Sequence, residues 1–107
     1  MKTIHLATDH AGFEYKEKVK AFLLEKGCLV IDHGAEVYTE GDDYPEYIAK
    51  AAREVSDSKG EEKAVIFGGS GQGEAMVANR FPHVRAVVCY GGEKAQEIVV
   101  LSREHND

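Results

Sequence analysis

The sequence predicts an α/β domain in which helices cover both faces of a doubly wound parallel β-sheet. Short apolar segments that suit strands alternate along the chain with longer segments whose apolar residues recur at helical spacing. The strand segments are apolar throughout, which is typical of parallel strands buried on both faces. The chain has 107 residues, enough for one domain and too few for two independent cores. A single three-layer α/β/α domain over residues 1–107 is therefore expected.

Four strands are predicted, at residues 3–8, 28–32, 63–67 and 85–90. Crossovers between parallel strands are right-handed, and ligands bind at the carboxyl ends of the strands. The loops 9–12 and 68–73 both follow strands, and both are rich in unusual residues. They are expected to lie together on the functional edge of the sheet.

Helices are predicted between the strands. The first runs from Phe13 to Lys26, because Gly27 stands where a helix C-cap belongs. Pro45 marks the start of the second, the third runs from about Glu74 to Arg80, and the last begins near Glu93.

Composition narrows the class of function. The formal charge is −6, with acidic and basic residues mixed along the chain, which argues against a nucleic-acid partner. A small anionic substrate remains compatible, because local cations and backbone N–H groups can hold a phosphate. No apolar run approaches the roughly 20 residues that cross a bilayer, and Met1 leads straight into a strand with no signal peptide. Neither membrane nor secretion is expected, and the predicted location is the cytoplasm.

The loop from Gly68 to Gly73 contains four glycines in six residues, which lets the backbone approach an anion closely. A nucleoside triphosphate loop would need a lysine where this chain has Glu74, and a carboxylate there reverses the local charge. The spacing Gly69-x-Gly71-x-Gly73 also departs from the dinucleotide fingerprint.

The remaining interpretation is an anion hole for an oxyanion that forms during a reaction, with Glu74 as the proton acceptor beside it. A carboxylate in a dry site can have its pKa raised toward neutrality, which suits a general base. The alternative stays open that Glu74 is simply a first-turn acid favoured by the helix dipole.

Four further positions are candidates, each with a plain structural alternative. Asp9 and His10 follow the first strand and could bind sugar hydroxyls and phosphate, or could be a helix cap and an exposed turn residue. Tyr44 could cover a site or pack against the core. His105 could act in catalysis or be a solvated residue at a helix end. No histidine spacing suggests a metal, so none is expected.

Taken together, the segments resemble the ribose-5-phosphate isomerase B family, which includes the galactose-6-phosphate isomerase subunits. The matching pieces occur in the correct order along the whole chain: Asp9–Phe13, Asp43–Pro45, Gly69–Gly73, Ala78–Arg80, Val84–Ala86 and Ser102–Asp107. Each piece alone is weak, and the ordered set is specific.

The resemblance implies a Rossmann-like fold, no cofactor, and a homodimer or homotetramer with composite active sites. Many members carry a cysteine base just before the glycine loop, where this chain has Gly68. A second group instead uses a glutamate directly after the loop, which corresponds to Glu74. Family members also continue as a further strand and a long helix that bring arginines to the phosphate, and no such segment is in this sequence.

The resemblance also assigns roles, residue by residue. Glu74 is the base, Ser70 with the loop amides forms the anion hole, and Asp9 and His105 assist ring opening. The expected substrate-binding residues are His10, Tyr44, Gly69, Gly71, Gln72, Gly73 and Asn106.

The activity implied is an aldose–ketose isomerisation of a phosphorylated sugar through an enediolate, with ribose 5-phosphate and ribulose 5-phosphate as the expected pair. Two alternatives remain. The same residues could act on a hexose or tetrose phosphate, or the chain could be a sugar-phosphate-binding domain without catalytic activity.

Overall fold

The structure is a computed structural model that describes residues 2–8, 12–34, 44–69, 71–90, 100–101 and 104. Strands and helices alternate within these residues. The elements are β1 (Thr3–Thr8), α1 (Phe13–Glu25), β2 (Leu29–Asp32), α2 (Tyr44–Asp57), β3 (Lys63–Phe67) and α3 (Gln72–Ala78). Residues 100, 101 and 104 are helical, within the last predicted helix. The predicted start of that helix, near Glu93, lies outside the described residues.

The described strands form one parallel sheet in the order β2-β1-β3. From β1 the chain moves to β2 on one side and then crosses to β3 on the other side. This reversal creates a topological switch point at the carboxyl ends of β1 and β3, where α/β sheets bind their ligands. The predicted parallel α/β class is confirmed.

Alternate residues of β1 face different helices, as strand geometry requires. On one face, Ala7 packs with Ile48 and Ala51 of α2 to form the buried core, and Val77 of α3 adds to it. α1 lies on the other face, where Lys16 reaches Asp32 of β2. The helices therefore cover both faces of the sheet.

Lys16 is fully buried, and its ammonium donates to Asp32 Oδ2 at 2.5 Å. The carboxylate also accepts from Lys20 at 3.3 Å and from the Gly34 N–H at 3.0 Å. Burial raises the pKa of Asp32, but hydrogen bonds from Lys16, Gly34 and Lys20, together with the charge of Lys16, outweigh that effect and lower the pKa. The pair keeps its charges inside the domain because each is bonded to the other.

The prediction of a fourth strand at residues 85–90 is wrong. These residues are described, and they form no strand. The N–H and C=O of Ala86 bond to the Asn79 side chain instead of to a neighbouring strand. The first three strands and the first and third helices begin and end within two residues of their predicted bounds, and the second helix begins one residue before the predicted Pro45. Within the described residues, no helix combines the length and apolar character that a membrane span requires.

Candidate active site

The carboxyl ends of β1 and β3 are held together directly. The Thr8 hydroxyl donates to the Phe67 carbonyl at 3.2 Å. Gly12, just before α1, packs so closely here that a Cβ at this position would come within 2.5 Å of Phe67 Cβ and of Thr8 Oγ1. Only glycine allows the start of α1 to come this near. The ends of β1 and β3 and the start of α1 therefore meet at the switch point.

The glycine loop turns sharply at Gly71 into α3. Gly71 has a φ of +79°, in the left-handed region, and is the N-cap of α3. A Cβ there would lie 3.0 Å from Val88 Cγ1. Gly71 is needed for the turn and also for its contact with the segment 84–90. α3 starts at Gln72, two residues before the predicted Glu74.

Glu74 lies in the first turn of α3 and is only 6% exposed. Its carboxyl group folds back onto the backbone at Gly68, and it occupies the space into which a Cβ at position 68 would extend. The carboxyl group is thereby placed at the carboxyl end of β3, beside the glycine loop. Glu74 is therefore a first-turn acid, as the plain alternative has it, but a buried one beside the glycine loop. Its role as a base stays a prediction.

Gln72 is exposed, and its Nε2 donates to the hydroxyl oxygen of Tyr90 at 2.7 Å. Tyr90 is itself 71% exposed. The sequence gives no sign of a role for Tyr90, because it looks like an ordinary residue near the end of an apolar segment. The contact orients the Gln72 amide at the mouth of the loop.

Asn79 holds the segment that carries Val88 and Tyr90. Its Nδ2 donates to the Ala86 carbonyl at 2.9 Å, and its Oδ1 accepts from the Ala86 N–H at 2.8 Å. Two of the motif pieces, Ala78–Arg80 and Val84–Ala86, are thus in direct contact. Sequence analysis had given neither a role.

Of the predicted site residues, Glu74, Gly71, Gln72 and Gly73 lie together at the start of α3, and Gly69 lies just after β3. The predictions for Asp9, His10, Ser70, His105 and Asn106, and for the side chain of Tyr44, lie outside the described residues. Among the residues that are described, the one group of side chains able to hold a metal ion (His5, Glu54 and Glu62) lies away from this loop, toward the amino ends of the strands.

A buried carboxyl group beside a glycine loop is an arrangement that can transfer a proton. Comparison with known proteins identifies the family. The family model of the ribose/galactose isomerases matches residues 4–107. The chain belongs to this family. Ribose-5-phosphate isomerase B of Mycolicibacterium paratuberculosis is 42% identical over 105 residues, covering 97% of this chain and 62% of the relative. The Escherichia coli protein of the same name is 39% identical over 107 residues, covering 100% of this chain and 68% of the relative.

Solved structures give the same result. Ribose-5-phosphate isomerase B from Thermotoga maritima matches with a TM-score of 0.85 and 37% identity, over 98% of this chain and 68% of that one. The Mycoplasma genitalium enzyme with bound ribulose-5-phosphate matches with a TM-score of 0.83 and 27% identity, over 97% of this chain and 66% of that one. The chain spans 61–62% of the length of its mycobacterial relatives.

Proposed function

We propose that the protein is an aldose–ketose isomerase that interconverts ribose 5-phosphate and ribulose 5-phosphate. The observation that carries the proposal is the buried carboxyl group of Glu74, folded onto Gly68 beside the glycine loop. The names of the relatives support the choice of sugar, as does the ribulose-5-phosphate bound to the Mycoplasma genitalium enzyme.

In the proposed reaction, Glu74 takes the proton from C2 of the open-chain aldose. The electron pair forms a C1–C2 double bond, and the carbonyl oxygen on C1 gains negative charge to give the enediolate. Glu74 returns the proton to C1, and the O2 hydroxyl proton passes to O1, which leaves a carbonyl at C2. One carboxyl group acts as base and then as acid, so no cofactor is required.

The glycine loop would stabilise the negative charge of the enediolate. The left-handed turn at Gly71 precedes right-handed helical residues, and such a combination directs successive N–H groups toward one anion. Fixed N–H groups that meet a charge formed in the transition state lower the barrier. Ser70 and the amides of Gly71, Gln72 and Gly73 are assigned this role.

Family resemblance supports the remaining assignments. Asp9 and His105 would open the sugar ring, and His10, Tyr44, Gly69 and Asn106 would bind the substrate. The protein would act in the cytoplasm as a homodimer or homotetramer whose sites combine residues of two subunits.

The test is Glu74→Gln, which keeps the size of the side chain and removes its basicity. We expect kcat to fall by about 10²–10⁴-fold, while KM changes little. Exchange of the substrate C2 proton in deuterated water should be lost in parallel. Glu61→Gln, an exposed acid before β3, is the matched control.

Glu74→Gln activity within tenfold of the parent protein would remove the base assignment. Tight binding of ribose 5-phosphate by the parent protein, with no C2 exchange, would instead identify a binding domain. Faster turnover of a hexose or tetrose phosphate would replace the pentose phosphate as substrate.

A further inference from the structure

A second cluster of ionisable side chains lies near the amino ends of β1 and β3. His5 of β1 is fully buried, and its Nε2 lies 2.6 Å from Glu62 Oε1, just before β3. Glu54, near the end of α2, joins them, so that one ligand atom from each residue lies within 4.8 Å of the others. Three elements far apart in sequence thus direct one imidazole and two carboxylates to the same point.

His33 orients the His5 ring from the side opposite Glu62, through the other ring nitrogen of His5. His33 Nε2 lies 2.9 Å from His5 Nδ1, and the two ring centroids are 5.1 Å apart. A histidine that binds a metal through one nitrogen nearly always hydrogen-bonds through the other, which fixes its tautomer and orientation. His5 has this arrangement, with Nδ1 toward His33 and Nε2 toward the carboxylates.

We propose that His5, Glu54 and Glu62 bind a divalent transition-metal ion of the Zn²⁺ class. One imidazole nitrogen and two carboxylate oxygens form a ligand set that suits Zn²⁺, with water in the fourth position. Mg²⁺ and Ca²⁺ prefer sites made of oxygen ligands and suit the His5 nitrogen less well. Glu54 is exposed and Glu62 half-buried, so an ion could enter from solvent.

The geometry needs little rearrangement. Tetrahedral zinc ligands at about 2.0–2.2 Å from the ion lie roughly 3.3 Å from one another. His5 Nε2 and Glu62 Oε1, now 2.6 Å apart as a hydrogen-bonded pair, would separate by less than about 1 Å. The exposed Glu54 side chain can rotate inward to complete the set.

Protons and charges also balance. Zn²⁺ would take the place of a proton on His5 Nε2, with the neutral ring in its Nδ1–H tautomer donating to His33 Nε2 and His33 carrying its own proton on Nδ1. Two carboxylates close together repel each other unless a proton or a cation lies between them. A dication would neutralise both, in a chain whose formal charge is −6.

The ion would take no part in the proposed isomerisation, because the site lies away from Glu74 and the glycine loop. An ion there would tie the end of α2 and the start of β3 to the central strand β1. Binding to the folded chain alone stabilises it by mass action, so the melting temperature would rise with the Zn²⁺ concentration.

The test is calorimetric titration of the metal-stripped protein with Zn²⁺. We expect one ion per chain, and at least about tenfold weaker binding in Glu62→Gln and in Glu54→Gln. Glu61→Gln, next in sequence to one ligand but outside the cluster, should bind as the parent does. Mg²⁺ at the same concentration should not bind.

Thermal unfolding gives a second measurement that does not depend on any enzymatic activity. Zn²⁺ should raise the melting temperature of the parent and of Glu61→Gln, and should raise that of Glu62→Gln clearly less at the same Zn²⁺ concentration. The proposal is overturned if the parent binds no Zn²⁺, or if both glutamine variants keep the parent affinity, which would place the ion on other histidines or on the cysteines. Equal binding of Mg²⁺ would also overturn it.

Discussion

The side-chain amide of Asn79 forms hydrogen bonds with both backbone groups of Ala86, at 2.8 and 2.9 Å. A neighbouring strand would offer a residue the same pair of bonds, one accepted and one donated. Here a single side chain supplies them. The pair fixes the segment 84–90 beside α3, and with it the Tyr90 hydroxyl that contacts Gln72.

Asn79→Ala should therefore loosen this segment without unfolding the sheet. Loss of two hydrogen bonds, each with a net contribution of about 0.5–1.5 kcal/mol, should lower the free energy of unfolding by about 1–3 kcal/mol. Urea denaturation measures the loss, and hydrogen exchange at the Ala86 amide should accelerate most. Arg80→Ala, at the adjacent exposed position, is the control, and equal effects of the two changes would contradict the prediction.

Gly68→Ala should destabilise the protein, because the new methyl group would meet the Glu74 carboxyl group. Overpacking of this kind costs about 1–3 kcal/mol. The displaced carboxyl group would also reduce the proposed isomerase activity by about 10²-fold, the effect of a misplacement near 1 Å. Urea denaturation and steady-state kinetics measure the two consequences.

The double variant Gly68→Ala/Glu74→Ala is the control for the clash between the new methyl group and the Glu74 carboxyl group. In a Glu74→Ala background the space beside position 68 is vacant, so adding Gly68→Ala should cost almost nothing further. Two residues in contact show such non-additivity, whereas independent sites add. An equal cost of Gly68→Ala in both backgrounds would mean that the backbone, and not the carboxyl group, requires glycine.

Asp32→Asn should be among the most destabilising single changes in the described part of the chain. Within the described residues, the buried Lys16 ammonium contacts the carboxylates of Asp32 and Glu17, and Asp32 is the nearer of the two. Its removal should lower the free energy of unfolding by about 3 kcal/mol. Lys20→Met is the comparison, because Lys20 is 36% exposed and lies 3.3 Å from the same carboxylate. Its expected cost is below about 1 kcal/mol, and a similar cost for both changes would argue against the importance of burial.

The same carboxylate predicts a dependence on pH. The pKa of Asp32 lies below its ordinary value of 3.8, so the unfolded chain takes up this proton at a higher pH than the folded chain does. The stabilisation is complete well above pH 3.8 and is lost as the pH falls through 3.8 toward the folded pKa. Urea denaturation of the parent and of Asp32→Asn should give a constant difference near neutral pH and a shrinking one below about pH 4. If the difference in the free energy of unfolding between the parent and Asp32→Asn stays constant down to about pH 3, the predicted pH dependence is contradicted.

Much of the fold could be predicted because periodicity reflects burial directly. Leu6 and Ala7 of the strand 3–8 are both buried because both faces of the strand are covered, and α2 repeats Ile48 and Ala51 because one of its faces meets the sheet. The prediction of a fourth strand was wrong because it relied on the same signal. Residues 85–90 have the composition of a strand but do not form one. Composition cannot reveal that Asn79, several residues earlier, takes up the hydrogen bonds of Ala86.

The site was predictable only as far as its residues are neighbours in sequence. Glu74 and the glycine loop stand within seven residues, so their proximity could be inferred. That the carboxyl group turns back to Gly68 depends on side-chain packing. The cluster of His5, Glu54 and Glu62 forms where three elements meet in space. The spacing of these residues along the chain does not predict it.

The packing of Glu74 against Gly68 also limits how such a site can evolve. A side chain at position 68 and a glutamate at position 74 compete for one volume, so the site has room for a reacting group from one position or from the other. A lineage that moves its base between them cannot do so in one step. One intermediate would have large side chains at both positions, which would overlap. The other would have small residues at both positions and no base. Each intermediate is disfavoured. Two stable lineages separated by a gap are the pattern that this shared volume would leave.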